Sequence, residues 1–371
     1  MKLPRALPAF VGRLRTSFTG ARGAHVLARA MPVAGLAAAI PLACRAAPAF
    51  LEHNALAPAG IQAEHIVRLW HLTLIVCGAV FAAVLAGVLF ALVRRAGAQQ
   101  HAAPDLSGTV RPERRAQRVV VGTSLFSVVL LIGLIVADVL TDRALSKLPG
   151  ANPLQIELTG WQWWWQARYP AESSRIAFVT ANELHVPIGR PVVVTLKAGD
   201  VIHSFWVPNL HGKKDLLPGI TSTIEFRADR AGLYDGPCAE FCGAEHALMA
   251  LRIVAEPPAR YEAWAAAQTE SAPIPAPADA LAAQGRQVFE RSACAGCHTV
   301  RGTSAVGQLG PDLTHLMSRQ TIAAGALPND APDLTRWIRD PGSAKPGTTM
   351  PAVPLSGADL HALVAWLTTL Q

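Results

Sequence analysis

Residues 238–249 read CAEFCGAEHALM. Cys238 and Cys242 stand four apart, His246 follows four later, and Met249 three after that. In an exporting compartment a cysteine pair suggests a disulfide. Two thiols joined by imidazole and thioether make a richer set than a disulfide needs. Such soft donors suit copper, while zinc, the rival metal, rarely takes methionine. A mononuclear blue-copper site uses one cysteine; two can bridge a pair of copper ions, each completed by one histidine and one weak donor. The second histidine must come from elsewhere in the chain. VIHSFWVPNL (201–210) supplies His203 from a β-like run.

The composition places this motif in a membrane-associated chain. Of 371 residues, 51% are hydrophobic and only 16% charged, an unusual balance for a fully soluble protein. The net charge of +7 does not indicate nucleic-acid binding. The arginines concentrate in the first 30 residues and in 94–118. Two uncharged runs, 69–93 and 119–137, are each long enough to cross a hydrocarbon layer as a helix. The segment between them holds Arg94, Arg95, Arg111, Arg114, Arg115 and Arg118 against Asp105 and Glu113. By the positive-inside rule that loop is cytoplasmic. The expectation is a transmembrane hairpin over 66–140 in a bacterial inner membrane, with everything after it on the periplasmic side. Upstream, arginines precede the short apolar run MPVAGLAAAIPLAC (31–44). That pattern reads as a signal peptide over 1–43. Cys44 is then either a lipidated residue or an incidental thiol, and Cys77 falls inside a span.

Beyond the hairpin the composition changes twice. Residues 150–256 carry short Val-, Ile- and Thr-rich runs such as RPVVVTLKAG (190–199) and TSTIEFRADR (221–230), which predict an all-β sandwich or barrel. A Pro/Ala-rich linker is expected over 257–280, most plainly in QTESAPIPAPADA (268–280). Residues 281–371 read as mostly helical, from ALAAQGRQVFERSA (280–293) to ADLHALVAWLTTL (358–370). Within them SACAGCHTV (292–300) contains C-x-x-C-H, the attachment signature of c-type haem. Cys294 and Cys297 would form the thioethers and His298 the proximal iron ligand. For the opposite ligand Met350, in the proline-bracketed GTTMPAVP (347–354), is preferred over His315 and Met317.

The stretch ANELHVPIGRPVVVTLKAGDVIHSFWVPNLHGKKDLLPG (181–219), with YDGPCAEFCGAEHALM (234–249), resembles subunit II of haem–copper cytochrome c oxidases. The resemblance is close over 155–255 and loose over the hairpin. It implies a cupredoxin-like Greek-key domain with the binuclear copper centre called CuA. Cys238 and Cys242 would bridge both coppers; His203 and Met249 would complete one, His246 and the Glu240 carbonyl the other. The Glu240 carboxylate would hold magnesium at the contact with subunit I. Quinol-oxidising relatives lack these ligands, so the resemblance favours cytochrome c, or a similar donor, as the reductant. In cytochromes c the proline of LGPDL (309–313) accepts the proximal histidine's hydrogen, a role that falls to Pro311 here. T-x-M-P at 348–351 likewise points to Met350, and the whole C-terminal part resembles an all-α class I cytochrome c.

In LTGWQWWWQARYP (158–170), four tryptophans occupy five positions. They could pack a β core or mark an interface belt. The family places a tryptophan after Gly-x-Gln on the surface that receives electrons, which makes Trp163 the candidate catalytic residue. One departure stands out. The second span of relatives commonly begins with Glu, a Trp-Thr pair and Pro, but AQRVVVGTSLFSV (116–128) has no Glu, Trp or Pro. No proton-uptake role is carried over. The expected assembly is therefore a membrane-anchored oxidase subunit working with subunit I and a subunit III, oxygen being reduced in subunit I. A membrane-anchored copper carrier or assembly factor is the alternative; it would have no reason to carry a haem.

Overall fold

The structure is a computed structural model, and it describes residues 53–96, 110–146, 150, 152–170 and 176–371. The expected signal peptide and Cys44 lie outside the described residues. Helices α1 (Ile61–Ala96) and α2 (Val110–Leu145) pack against each other. Both are long and apolar enough to cross a membrane, and they present Phe81, Leu89, Phe126 and Ile135 outward. Such faces are stable only against lipid or apolar protein.

The β domain has two main sheets. Strands β1 (Leu154–Trp161), β2 (Trp164–Pro170), β3 (Ile176–Ala181), β4 (Glu183–Pro187) and β5 (Val192–Ala198) are followed by β6 (His203–Phe205) and β7 (Lys214–Leu216). Then come β8 (Ser222–Phe226), β9 (Gly232–Pro237) and β10 (Ala250–Glu256). One sheet runs β3-β2-β1-β5-β8, the other β4-β10-β9, and β6 pairs with β7. The β1–β5 and β4–β10 pairs are parallel. A single core of Ile156, Leu158, Trp165, Leu184, Phe226 and Ile253 fills the sandwich. Burying each such side chain contributes roughly 1.5–3 kcal/mol. This is the cupredoxin-like architecture that the resemblance implies.

Two segments outside the expected β region belong to it physically. The chain just before α1 lies on the sandwich: Gly60 bridges Ala228, Ala59 N–H donates to the Asn209 carbonyl at 2.7 Å, and Arg230 donates to the Pro58 carbonyl at 2.7 Å. The first half of the expected linker is helix α3 (Pro258–Thr269). Its Trp264 ring stacks on His185 at 3.9 Å, and Tyr261 is buried. A proline in the first turn and the apolar Tyr261 and Trp264 give this segment a helix start and a face to bury. The extended linker is therefore confined to the residues between Thr269 and the next helix.

The C-terminal domain comprises α4 (Ala280–Arg291), the short α5 (Cys294–Cys297), the two-residue strands β11 (Thr321–Ile322) and β12 (Leu327–Pro328), α6 (Ala331–Arg339), α7 (Pro341–Ala344) and α8 (Gly357–Leu367). Asp279, Asp330 and Ser356 cap α4, α6 and α8 through their side chains. The α4–α8 crossing forms its core, with Phe289 against Trp366 at 5.2 Å. Gly285 sits where a side chain would collide with the Ala362 carbonyl, so only glycine allows this approach.

Candidate metal and haem sites

Five side chains and the Glu240 carbonyl, from two stretches of chain, converge at one end of the sandwich. His203 comes from β6, Cys238 follows β9, and Cys242 lies in the next loop. His246 opens a single 3-10 turn, and Met249 directly precedes β10. The loop is closed on itself: Cys238 N–H donates to the Met249 carbonyl at 2.8 Å, and Ala239 N–H to the Ser204 carbonyl at 3.1 Å. The two sulfurs are 3.9 Å apart, far beyond the roughly 2.05 Å of a disulfide, and both thiols are free. Around Cys238 Sγ lie His203 Nδ1 at 3.9 Å and the Glu240 carbonyl oxygen at 3.3 Å. Around Cys242 Sγ lie His246 Nδ1 at 3.6 Å and Met249 Sδ at 3.8 Å. His203, Cys238, Cys242 and Met249 are all buried.

The surroundings prepare these donors. His203 Nε2 faces Asp200 Oδ1 at 2.9 Å, which fixes the proton there and leaves Nδ1 toward the sulfurs. Burial pulls the His203 imidazole down, but Cys238 and Asp200 outweigh it and leave the group above its ordinary value. The Cys242 thiol beside it holds Cys238 far down, at about 3, against the cost of burial. Cys242 itself is pushed up by Cys238. Gly160 presses against the His203 ring, where a Cβ would come within 2.9 Å. The Glu240 carboxylate lies apart from the sulfurs, 3.6 Å from Lys213 Nζ at a half-exposed surface.

The second site is a cavity of about 420 Å³ in the C-terminal domain, lined by Cys294, Cys297, His298, Met350 and mostly apolar side chains. His298 Nδ1 donates to the Pro311 carbonyl at 2.8 Å, which leaves Nε2 as the available donor. Burial pulls His298 below its ordinary value, with the Pro311 carbonyl opposing. The rival ligands are placed elsewhere. Both ring nitrogens of His315 are taken by the carbonyls of Gln371 and Glu270, and neither His315 nor Met317 lines the cavity.

The cavity wall also includes Trp163, Trp164 and Asn182 of the β domain. Trp163 Nε1 donates to the Cys242 carbonyl at 3.0 Å, and Gln162 Nε2 donates to the same oxygen at 2.7 Å. Sequence reasoning reached Trp163 but missed Asp200, Gln162 and Lys345. An acid three residues before a ligand histidine, in GDVIH, was the available signal for Asp200. Lys345 carries no local signal, because its partners lie in distant segments.

Comparison with known proteins gives the family. The family described as cytochrome c oxidase subunit II, periplasmic domain, matches residues 172–256, and the cytochrome c family matches 282–371. Cytochrome c oxidase subunit 2 of Alkalihalophilus pseudofirmus is 37% identical over 326 residues, covering 86% of this chain and 91% of its own. The chain belongs to the cytochrome c oxidase subunit II family. The subunit 2 of Bacillus sp. strain PS3 is 32% identical, covering 66% of this chain and 72% of its own. The solved periplasmic domain of subunit II from Bradyrhizobium japonicum is 29% identical, covers 33% of this chain and 96% of its own, and gives a TM-score of 0.30. As a subunit II with a fused cytochrome c domain, the chain is a two-pass component of a cytochrome c oxidase. The family implies copper in its β domain and haem c in its C-terminal domain. The residues present fit both: two thiols, two imidazoles and a thioether, all buried but the half-buried His246, suit copper, and an apolar cavity gathers two free thiols, one imidazole and one thioether.

Proposed function

We propose that this subunit II receives electrons from cytochrome c or a similar donor through its haem c and passes them, by a binuclear CuA centre, to subunit I, where oxygen is reduced to water. Bound haem and paired copper supply reversible one-electron storage. The chain's residues do the rest. Cys238 and Cys242 would hold the copper pair through their sulfurs, with His203, His246 and Met249 contributing side-chain donors and Glu240 its carbonyl. Cys294 and Cys297 would anchor the haem and His298 and Met350 would ligate its iron, with the Pro311 carbonyl orienting His298.

The observation that carries this reading is the position of Trp163. Its side chain forms part of the haem cavity wall and also hydrogen-bonds the backbone of Cys242. One residue thus adjoins both candidate sites, as the electron-transfer role requires. The Glu240 carboxylate, near Lys213 at the surface, is proposed to take magnesium at the contact with subunit I. The arginines between α1 and α2 support a cytoplasmic loop, with both redox domains on the periplasmic side of a bacterial inner membrane, where subunits I and III and the donor would meet them.

Metal analysis and electron paramagnetic resonance of the purified full chain test the reading. Two coppers in a delocalised mixed-valence centre and one haem per chain are expected, with rapid copper reduction after the haem is reduced. Zinc, or a single exchangeable copper that the haem does not reduce, overturns it and favours a copper carrier.

A further inference from the structure

The cytochrome c domain meets the β domain across a seam that buries charge from both sides. On the cytochrome side, the turn Ala323–Gly325 lies against β10 and β2. Glu183, at the start of β4, reaches over, and its Oε1 accepts from the backbone N–H groups of Gln320 at 2.7 Å and Thr321 at 3.2 Å. Arg252 of β10 donates to the Gln320 side chain at 3.2 Å. In the opposite direction Lys345, four residues after Pro341 and five before Met350, sends Nζ to the Trp163 carbonyl at 2.8 Å. The same ammonium donates to the Ala323 carbonyl at 3.2 Å.

Both bridging groups are buried, Glu183 at 2% exposure and Lys345 at 3%. Near Lys345, the copper-loop residue Glu245 is also buried, and an added Cβ at Gly347 would come within 3.5 Å of its Oε1. A buried ammonium or carboxylate is costly unless its partners are held in place. A domain that touched its neighbour only in passing would not maintain them. The backbone agrees. Ala323, Ala324 and Gly325 have φ of 53°, 58° and 87°, a left-handed run that alanines hold only where the surroundings over-determine it.

We propose that Lys345 and Glu183 are positioning residues that lock the cytochrome c domain onto the β domain in one orientation, with Trp163 closing part of the haem cavity. The inference rests on the proposed electron route and adds to it a fixed interface. The short extended linker then connects two docked bodies, and an external donor is left the faces of the cytochrome domain away from Trp163.

The test uses the assembled oxidase carrying Lys345→Met, Glu183→Ala or Glu183→Gln. Amide hydrogen exchange is followed in a peptide spanning 318–326, and haem-to-copper electron transfer after rapid haem reduction. Lys345→Met removes no partner of the Gln320 and Thr321 amides. In a cooperative lock it still speeds their exchange, by roughly tenfold, because opening one bridge frees the other. Haem-to-copper transfer should slow in both Lys345→Met and Glu183→Ala with the haem and copper spectra unchanged. Glu183→Gln keeps an acceptor for both amides and should keep the wild-type transfer rate. Wild-type exchange and transfer in Lys345→Met overturn the lock. Should Lys345→Met fail to assemble, Glu183→Ala decides by the transfer rate: slowed with normal spectra supports the lock, unchanged overturns it. Absence of haem-to-copper transfer in the wild type overturns the electron route instead, while the exchange result still decides the interface.

Discussion

The indole N–H of Trp163 donates to the carbonyl of Cys242 at 3.0 Å, and the Gln162 amide donates to that same oxygen at 2.7 Å. The loop bearing Cys242 is therefore held by two donors from the β1–β2 turn, one of which also faces the haem cavity. Trp163→Leu removes a hydrogen bond as well as an aromatic contact. Haem-to-copper transfer is expected to slow by an order of magnitude or more, about 1.4 kcal/mol per factor of ten. Haem reduction by the external donor should stay at its wild-type rate. Because Gln162 still holds the carbonyl, the copper absorption bands should shift slightly and keep their intensity. Rapid-mixing absorbance separates the steps; an unchanged copper reduction rate would reduce Trp163 to packing.

Asp200 organises the other side of the copper loop. Its carboxylate accepts from the backbone N–H groups of Gln162 at 2.7 Å and Val201 at 2.6 Å, and faces His203 Nε2 at 2.9 Å. A partner of this kind orients a ligand imidazole, and its loss typically lowers metal affinity about 10–100-fold. Asp200→Ala should show that loss in a chelator competition titration of the full chain, with Asp200→Asn in between. Equal affinity in all three proteins would mean that packing alone orients His203.

Glu183 gives a pH signature. Burial raises its carboxyl above the ordinary value, although the Gln320 amide, His185, Arg252 and Arg319 oppose the shift. A raised acid binds its proton more tightly folded than unfolded. Its burial therefore costs least below the unfolded pKa, and the cost grows as pH rises and is complete above the folded value. Glu183→Gln, which keeps an acceptor for the Gln320 amide, should gain thermal stability over the wild type at pH 8. The gain should shrink as pH falls toward 5. A pH-independent difference in melting temperature would show that the carboxyl titrates alike in both states.

Much of this was legible where function needs rare residues at fixed spacing. Cys238, Cys242, His246 and Met249 are close in sequence, and C-x-x-C-H is contiguous, so both patterns survive without a structure. The apolar runs at 69–93 and 119–137 needed only counting. What stayed hidden depends on segments far apart. Lys345 meets Trp163 across 182 positions and Glu183 meets Gln320 across 137. Neither charge differs locally from a solvated one. Helix α3 was read as linker because the Pro/Ala-rich residues beside it dominate the composition, while Tyr261 and Trp264, which bury it, are only two positions. Gly285, in the interior of α4, finds its reason only in the crossing with α8.

Met350 offers the sharpest test of the haem site. It lines the cavity with His298, whereas Met317 lies outside that lining and packs against the helical core. The thioethers depend on Cys294 and Cys297 alone, so Met350→Ala should keep covalent haem at full stoichiometry. Without a thioether the sixth position passes to water or stays open, and the reduction potential should fall. The expected record is loss of the weak sulfur-to-iron charge-transfer band in the oxidised spectrum, with a lower midpoint in a redox titration. Met317→Ala should keep the band and the potential and lose only stability, about 2–3 kcal/mol at most for a partly buried methionine. If the band disappears in Met317→Ala and persists in Met350→Ala, the iron takes its sixth ligand from the wrong side of this cavity, and the assignment of Met350 falls.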